Sequence, residues 1–230
     1  MNDFLNASSY FGIFLTVLAY LLAVGIRKRI RSGLANPLLI ASVLTIGTLV
    51  LCRIDYDAYN NSAGFLTMLL TPATVCLAIP LYQQIDKLKQ NFAAIFTGIL
   101  SGSLASLITV YLLSKLFGFS KEEFVTFLPK SITTAIGMGV SQELGGYVSI
   151  TVAAIILTGI LGHIICESVL KISGIRKRIA KGAAIGTASH AIGTSKAIEI
   201  GEIEGAISSL SIVIAGIITV LLSTLFAGLY

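Results

Sequence analysis

Residues 144–166 read LGGYVSITVAAIILTGILGHIIC, a run of 23 positions without an Asp, Glu, Lys or Arg side chain. A helix needs roughly 20 apolar residues to cross the hydrocarbon core of a bilayer, so this run is long enough to span a membrane. Five further uncharged runs reach the same length, at residues 4–26, 32–52, 58–85, 90–114 and 205–230. The sequence therefore predicts an all-α, polytopic bundle with about six full transmembrane helices.

The composition excludes a water-soluble globule. Only 12% of the 230 residues are charged and 55% are hydrophobic, whereas soluble domains carry about 25% charged residues. In a soluble protein the net charge of +5 would suggest a nucleic-acid partner. Here the basic residues lie in clusters between the apolar runs, so we expect the lipid bilayer as a partner and no nucleic acid.

The basic clusters also predict an orientation, because loops rich in Lys and Arg remain in the cytoplasm. If the six long runs cross, eleven basic residues face the cytoplasm and only Arg53, Lys115 and Lys121 lie outside. Both termini are then extracellular, and the chain is a multi-pass protein of the plasma membrane. The first run is not expected to be a cleaved signal peptide, since Asp3 precedes it and the basic residues follow it.

Two uncharged runs, residues 131–142 and 182–195, are too short and too rich in Gly, Ser and Thr to cross alone. Their sequences resemble each other, because Ala-Ile-Gly, five residues, Glu, an aliphatic residue and Gly recur at an offset of 56 positions. Ser131 falls opposite Thr187 at the same offset. In the predicted topology the two segments enter from opposite sides. The sequence therefore predicts an inverted repeat, with which secondary transporters build a site near the bilayer midplane.

The repeat defines the predicted organisation of the chain. We expect one transmembrane domain over residues 1–230, with four spans in residues 1–118. The first short segment and its span occupy residues 119–175, and the second pair occupies residues 176–230. Whether the short segments are re-entrant or broken spans, their free backbone groups must be buried in protein or line a water-filled cavity.

The chemistry of the short segments suits a small anion. Pro129 favours the start of a helix, Lys130 supplies positive charge, and helix N-termini bind anions through their unpaired N–H groups. The predicted substrate-binding residues are the basic, hydroxyl and imidazole groups of the two segments: Lys130, Ser131, Thr133, Thr134, Thr187, Ser189, His190, Thr194 and Ser195. The alternative is that the small residues only permit close helix packing.

Four ionisable residues are candidates for coupling transport to a proton or another cation. Glu143 and Glu199 occupy equivalent repeat positions, and His163 and Glu167 lie four residues apart on one helix face. Each pair has a structural alternative, as solvated loop carboxylates in the first case and as a local pair in the second. Glu202 and Glu204 are expected to lie in a cytoplasmic loop.

No catalytic residue, cofactor or metal site is predicted. The three cysteines lie in or at the ends of apolar runs and lack metal-ligand spacing. His163 and Glu167 do not form the zinc pattern HExxH, and Ser189 beside His190 lacks a third member of a triad. An enzyme is therefore the least favoured class.

Several motifs resemble the CidB/LrgB family of bacterial membrane proteins. They are TPAT at 71–74, IPLY at 79–82, LPKSITT at 128–134, ELGG at 143–146, IAKG at 179–182 and ASHAIGTSKA at 188–197, and they look closer to the CidB branch. The resemblance implies a holin-like or antiholin-like modulator of murein hydrolase activity and autolysis, beside a small CidA-like or LrgA-like membrane partner. It also implies transport of pyruvate, or of glycolate and glycerate as in a related plastidial translocator.

From the residues themselves we favour a secondary transporter or facilitator for a small monocarboxylate. A simple holin needs neither an inverted repeat nor interrupted segments at the midplane. The alternative is a pore or interaction protein that controls lysis without specific transport. A small carboxylate substrate and the CidA-like or LrgA-like protein are the other expected partners, and a homo-oligomer is compatible with the sequence.

Overall fold

The computed structural model describes residues 10–29, 37–69, 72, 75, 76, 78–83 and 85–230, and every element that it describes is a helix. The helices are α1 (Phe11–Arg29), α2 (Pro37–Leu51), α3 (Tyr56–Met68), α4 (Ala78–Gln83), α5 (Ile85–Gln90), α6 (Phe92–Phe117), α7 (Lys121–Phe127), α8 (Thr134–Glu143), α9 (Val148–Ile172), α10 (Arg178–Ile200) and α11 (Glu202–Leu229). The predicted all-α class is confirmed.

Four of the described helices, α1, α6, α9 and α11, are long and apolar enough to cross a membrane. They coincide with four of the six predicted spans. Large apolar side chains on these helices, such as Leu112, Leu161 and Leu221, are exposed in the protein, which suits contact with lipid tails. The chain is therefore a multi-pass membrane protein.

The other two predicted spans form shorter helices. Residues 32–52 contain α2, which has 15 residues, and residues 58–85 contain most of α3, all of α4 and the start of α5. Asp3 and most of the TPAT motif lie outside the described residues. The count of six spans stays a prediction.

The described helices belong to two compact units, Met1–Cys76 and Leu77–Tyr230. In the first unit α1 packs against α2 and α3. A Cβ atom at Gly12 of α1 would approach the Tyr59 carbonyl oxygen of α3 to 2.5 Å. The Gly12 N–H, unpaired within its own helix turn, donates to Ser62 Oγ at 2.8 Å. The predicted single domain and its divisions after residues 118 and 175 stay predictions.

The second unit is built on the close packing of α10 against α11, which Gly201 joins. A Cβ atom at Gly182 would come 2.5 Å from the Glu204 carbonyl oxygen, and one at Gly186 would overlap the backbone of Ser208. Small residues thus let the two backbones approach, as is typical of membrane helices. α6 covers this pair through a buried core of Ile95, Ile99, Ala183, Ile207, Ala215 and Ile218.

Both predicted short segments lie in interrupted helices. Residues 128–133 separate α7 from α8, and α10 is broken at His190, whose φ of 41° and ψ of −141° are not helical. At the offset of 56 residues, α8 corresponds to residues 190–199 after this break, and α9 corresponds to residues 204–228 within α11. The two repeats thus share the order of half-helix, break, half-helix and spanning helix. Their inversion in the membrane stays a prediction.

Candidate functional site

A cavity of about 1180 Å³ lies within the second unit. Its walls are one face of α6, the linker between α7 and α8, and the first half of α10. Its hydroxyl and basic lining residues are Ser101, Ser106, Thr109, Lys130, Ser131, Lys177, Arg178 and Thr187. The described lining contains three cationic side chains and no Asp or Glu, so the cavity favours an anion.

Lys130 is at the centre of a polar cluster on the cavity wall. Its ammonium Nζ donates to Ser131 Oγ at 3.0 Å and to Ser106 Oγ at 3.2 Å. The two hydroxyl oxygens lie 3.1 Å apart. Among the described residues the Lys130 ammonium has no carboxylate partner within ion-pair distance. A half-buried cation with hydroxyl neighbours and no counter-charge is suited to bind a carboxylate through charge-assisted hydrogen bonds.

Thr187 brings the second repeat to the same cavity. It is 8% exposed, and its Oγ1 has no hydrogen-bond partner among the described residues. A Cβ atom at Gly102 of α6 would lie 3.0 Å from Thr187 Cγ2, so a larger residue at position 102 would crowd this wall. Buried hydroxyls normally have partners, and an unpaired one that lines a cavity is a candidate ligand contact. Ser131 and Thr187, equivalent in the repeat, therefore face one cavity.

The remaining predicted substrate residues lie outside the cavity lining. Thr133 and Thr134 begin α8, whereas Ser189, His190, Thr194 and Ser195 surround the break in α10. The His190 ring nitrogen Nε2 contacts the Ile155 carbonyl oxygen of α9 at 3.0 Å. A substrate-binding role for these six residues stays a prediction.

Hydroxyl groups after the break connect α10 to its neighbours. Thr194 Oγ1 donates to the His190 carbonyl oxygen at 2.9 Å and lies 2.7 Å from Ser208 Oγ of α11. Ser195 Oγ donates to the Ile192 carbonyl oxygen at 2.7 Å. The two hydroxyl-to-carbonyl contacts lie within the half-helix that follows the break, and the contact between Thr194 and Ser208 joins that half-helix to α11.

Two of the predicted coupling residues, His163 and Glu167 of α9, contact the second half of α10 rather than each other. His163 Nδ1 lies 3.2 Å from both the Ile192 carbonyl oxygen and Ser195 Oγ. Lys196 pairs with Glu167 at 2.8 Å and with Glu199 at 3.1 Å. A local pair between His163 and Glu167 is therefore not formed. Glu143 is exposed at the end of α8, and a coupling role for the four residues stays a prediction.

Sequence reasoning missed six hydroxyl-bearing or charged residues of the site: Ser101, Ser106, Thr109, Lys177, Arg178 and Glu204. The loop prediction for Glu202 and Glu204 is wrong, because both residues lie in the first turn of α11, where Glu204 is 3% exposed. Its carboxylate accepts both contacts from Arg178 Nε, at 3.1 and 3.0 Å. On α6, small residues recur at helical spacing, at positions 94, 98, 102, 105 and 109. From this pattern the cavity wall on α6 could have been predicted.

Comparison with known proteins agrees with the resemblance seen in the motifs. The model of the LrgB-like family matches residues 16–229. The chain is 40% identical over 219 residues to "Holin-like protein CidB" of Staphylococcus epidermidis and 39% identical over 219 residues to that of Staphylococcus aureus, covering 95% of each chain. It is 35% identical over 218 residues to "Antiholin-like protein LrgB" of Bacillus mycoides, covering 94% of this chain and 95% of the relative. No solved structure matches significantly. The chain belongs to the LrgB-like family.

Proposed function

We propose that this membrane protein is a secondary transporter or facilitator for a small monocarboxylate of the pyruvate or glycolate type. The observation that supports this best is the cavity, in which Lys130, Ser131 and Thr187 are exposed to a common space without a carboxylate in the described lining. A cationic group with hydroxyl donors binds an anion. Because no carboxylate in the described lining neutralises Lys130, its positive charge remains available to bind the substrate.

The cavity also combines the two repeats in the way that transport requires. Lys130 and Ser131 precede α8, while Thr187 precedes the break in α10. An anion bound between them would contact both repeats at once. Movement of one repeat against the other would then change the side from which the anion is reached, which is alternating access.

In the proposed orientation both termini lie outside the cell and the basic segment of residues 171–181 faces the cytoplasm. The protein is then a carrier of the bacterial plasma membrane. Protease protection of a tag at either terminus tests the orientation, since a tag cleaved only from the cytoplasmic side would contradict it.

A second candidate function is control of cell lysis by pore formation or by protein interaction. The names of the relatives, holin-like CidB and antiholin-like LrgB, favour a part in lysis control. We propose that this role accompanies transport and involves a small membrane partner of the CidA or LrgA type. A pore without substrate selectivity is the alternative to a carrier.

Uptake by purified protein in liposomes separates the two functions. Vesicles are loaded with a fluorescent dye, and entry of labelled pyruvate or glycolate is measured over a concentration series, with and without the small partner. A carrier gives saturable uptake and retains the dye. Dye release together with uptake proportional to concentration would contradict the carrier and support the pore.

Thr187→Val is expected to weaken substrate binding without destabilising the protein. Valine has the shape of threonine but lacks the hydroxyl, whose loss removes a hydrogen bond to substrate worth about 1 kcal/mol and raises KM about fivefold. Because Thr187 Oγ1 has no partner among the described residues, a purely structural role predicts unchanged or higher thermal stability and an unchanged KM. Ser223→Ala is the control, since Ser223 Oγ is equally unpartnered there but does not line the cavity.

A further inference from the structure

An ion pair joins the first turns of α10 and α11 beside the cavity. Arg178 is the first residue of α10, and its Nε donates to both carboxylate oxygens of Glu204, at 3.1 and 3.0 Å. Glu204 is 3% exposed, whereas the Arg178 side chain is 54% exposed and lines the cavity. The pair therefore connects a buried acid to the wall of the proposed substrate site.

The surrounding backbone leaves space for this pair only because two glycines flank it. A Cβ atom at Gly201 would lie 2.6 Å from both Arg178 Nη2 and Glu204 Oε2. A Cβ atom at Gly182 would lie 2.5 Å from the Glu204 carbonyl oxygen and 3.1 Å from its Cα. A larger side chain at position 201 would press on the side-chain ends of the pair, and one at position 182 would press on the backbone of Glu204.

The contact with Glu204 uses only part of the hydrogen-bonding capacity of Arg178. A guanidinium has five N–H donors in a planar fork, and Nε supplies one of them to Glu204. Arg178 forms no other hydrogen bond between described residues that would occupy its Nη groups. Two parallel N–H donors match the two oxygens of a carboxylate, so the Nη groups of Arg178 can receive one while Nε contacts Glu204.

We propose that Glu204 is a positioning residue that holds Arg178 at the cavity wall as a second contact for the substrate carboxylate. The inference rests on the proposed transport function and adds to it a residue that acts through another. Lys130 supplies a positive charge beside two hydroxyl groups. Arg178 supplies a directional, bidentate contact from two parallel N–H groups. Because burial excludes water from Glu204, its carboxylate depends on Arg178 for compensation, and the two side chains remain together.

The test is uptake of labelled pyruvate by Glu204→Gln in liposomes, with KM and Vmax measured per folded protein. Glutamine keeps the size of the side chain and loses its charge, so Arg178 is released from one orientation. We expect KM to rise about 2- to 13-fold, as the loss of one hydrogen bond to substrate does, while Vmax stays within about twofold. Glu202→Gln is the matched control, because Glu202 is exposed two residues away, and its KM should not change.

If the ion pair only stabilises the packing of α10 against α11, the result is different. Glu204→Gln would then lower thermal stability and Vmax and leave KM unchanged. If Glu204 acts through Arg178, adding Glu204→Gln to Arg178→Gln causes no further rise in KM. Should Glu204→Gln fail to reach the membrane, Arg178→Lys decides, because it keeps the charge but loses the planar fork, and KM should still rise.

The outcomes separate this inference from the function on which it depends. If the unaltered protein shows saturable uptake and Glu204→Gln or Arg178→Lys has the same KM, only the positioning role is overturned. Absence of saturable uptake by the unaltered protein, with or without the small partner, overturns the transport function and this inference together.

Discussion

Lys130→Gln is expected to raise the KM for monocarboxylate uptake more than any other single change in the cavity. The substitution removes the only cation of the Lys130, Ser131 and Ser106 cluster and keeps a side chain able to hydrogen-bond. A hydrogen bond to a charged group contributes about 1.5–3 kcal/mol. The corresponding rise in KM is about 10- to 150-fold, measured as initial uptake rates in liposomes at equal protein density.

Two variants show whether the charge itself is responsible. Lys130→Arg keeps the positive charge and should retain part of the affinity. Lys121→Gln makes the same change on an exposed residue of α7 that does not line the cavity, and it should leave KM unchanged. Equal KM values for Lys130→Gln and Lys121→Gln would contradict a substrate role for Lys130.

Gly162→Ala is expected to have the largest effect on the folded protein. A Cβ atom at Gly162 of α9 would overlap Ser189 Oγ and lie 2.5 Å from Ser189 Cβ. Gly159, one turn earlier, is close in the same way to the His190 ring, at 2.7 Å from Cε1. The two glycines form a slot that receives the broken part of α10, so an added methyl group must push the two helices apart.

Overpacking of this kind costs about 1–3 kcal/mol. At about 2–4 °C per kcal/mol for a chain of this size, the melting temperature in detergent should fall by roughly 2–12 °C. Transport should fall as well, because the break in α10 is displaced. Gly139→Ala is the control, since no atom lies within 4 Å of a Cβ there, and it should melt at or slightly above the temperature of the unaltered protein because alanine is the better helix former.

A second substitution tests whether the overlap with Ser189 is the cause. In the double variant Gly162→Ala with Ser189→Gly, the methyl group occupies the space that the serine side chain leaves. We expect most of the lost melting temperature to return, less a small cost for glycine in a helix. A double variant no more stable than Gly162→Ala would contradict the slot as the origin of the effect.

The sequence was sufficient for those parts of the fold that depend on the length and periodicity of apolar runs. Four uncharged runs became α1, α6, α9 and α11, and the repeat at an offset of 56 located both interrupted segments. In residues 58–85, Pro72 and Pro80 predict a kinked or broken helix rather than one straight span, and the run contains most of α3, all of α4 and the start of α5. The apolar length of residues 58–85 alone is compatible with one helix, since composition does not specify where a helix ends.

The site was only partly predictable because side-chain contacts depend on how each helix is rotated. Lys130, Ser131 and Thr187 were identified from residue type and from the repeat, and they share the cavity. His190 was chosen by the same reasoning, but the break turns its ring toward the Ile155 carbonyl oxygen. Arg178 and Glu204 are 26 residues apart, and their contact exists only because α10 and α11 pack through small residues.

The most direct test of the account is the distance between a bound carboxylate and Lys130. Protein with ¹⁵N-labelled lysine is reconstituted in membranes with pyruvate ¹³C-labelled at its carboxyl carbon, and their dipolar coupling is measured by solid-state NMR. The account predicts a carbon to Lys130 Nζ distance of about 3.5–4 Å, as a charge-assisted hydrogen bond requires, and loss of that coupling in Lys130→Arg. No coupling at saturating pyruvate, or a coupling that persists in Lys130→Arg, would contradict it.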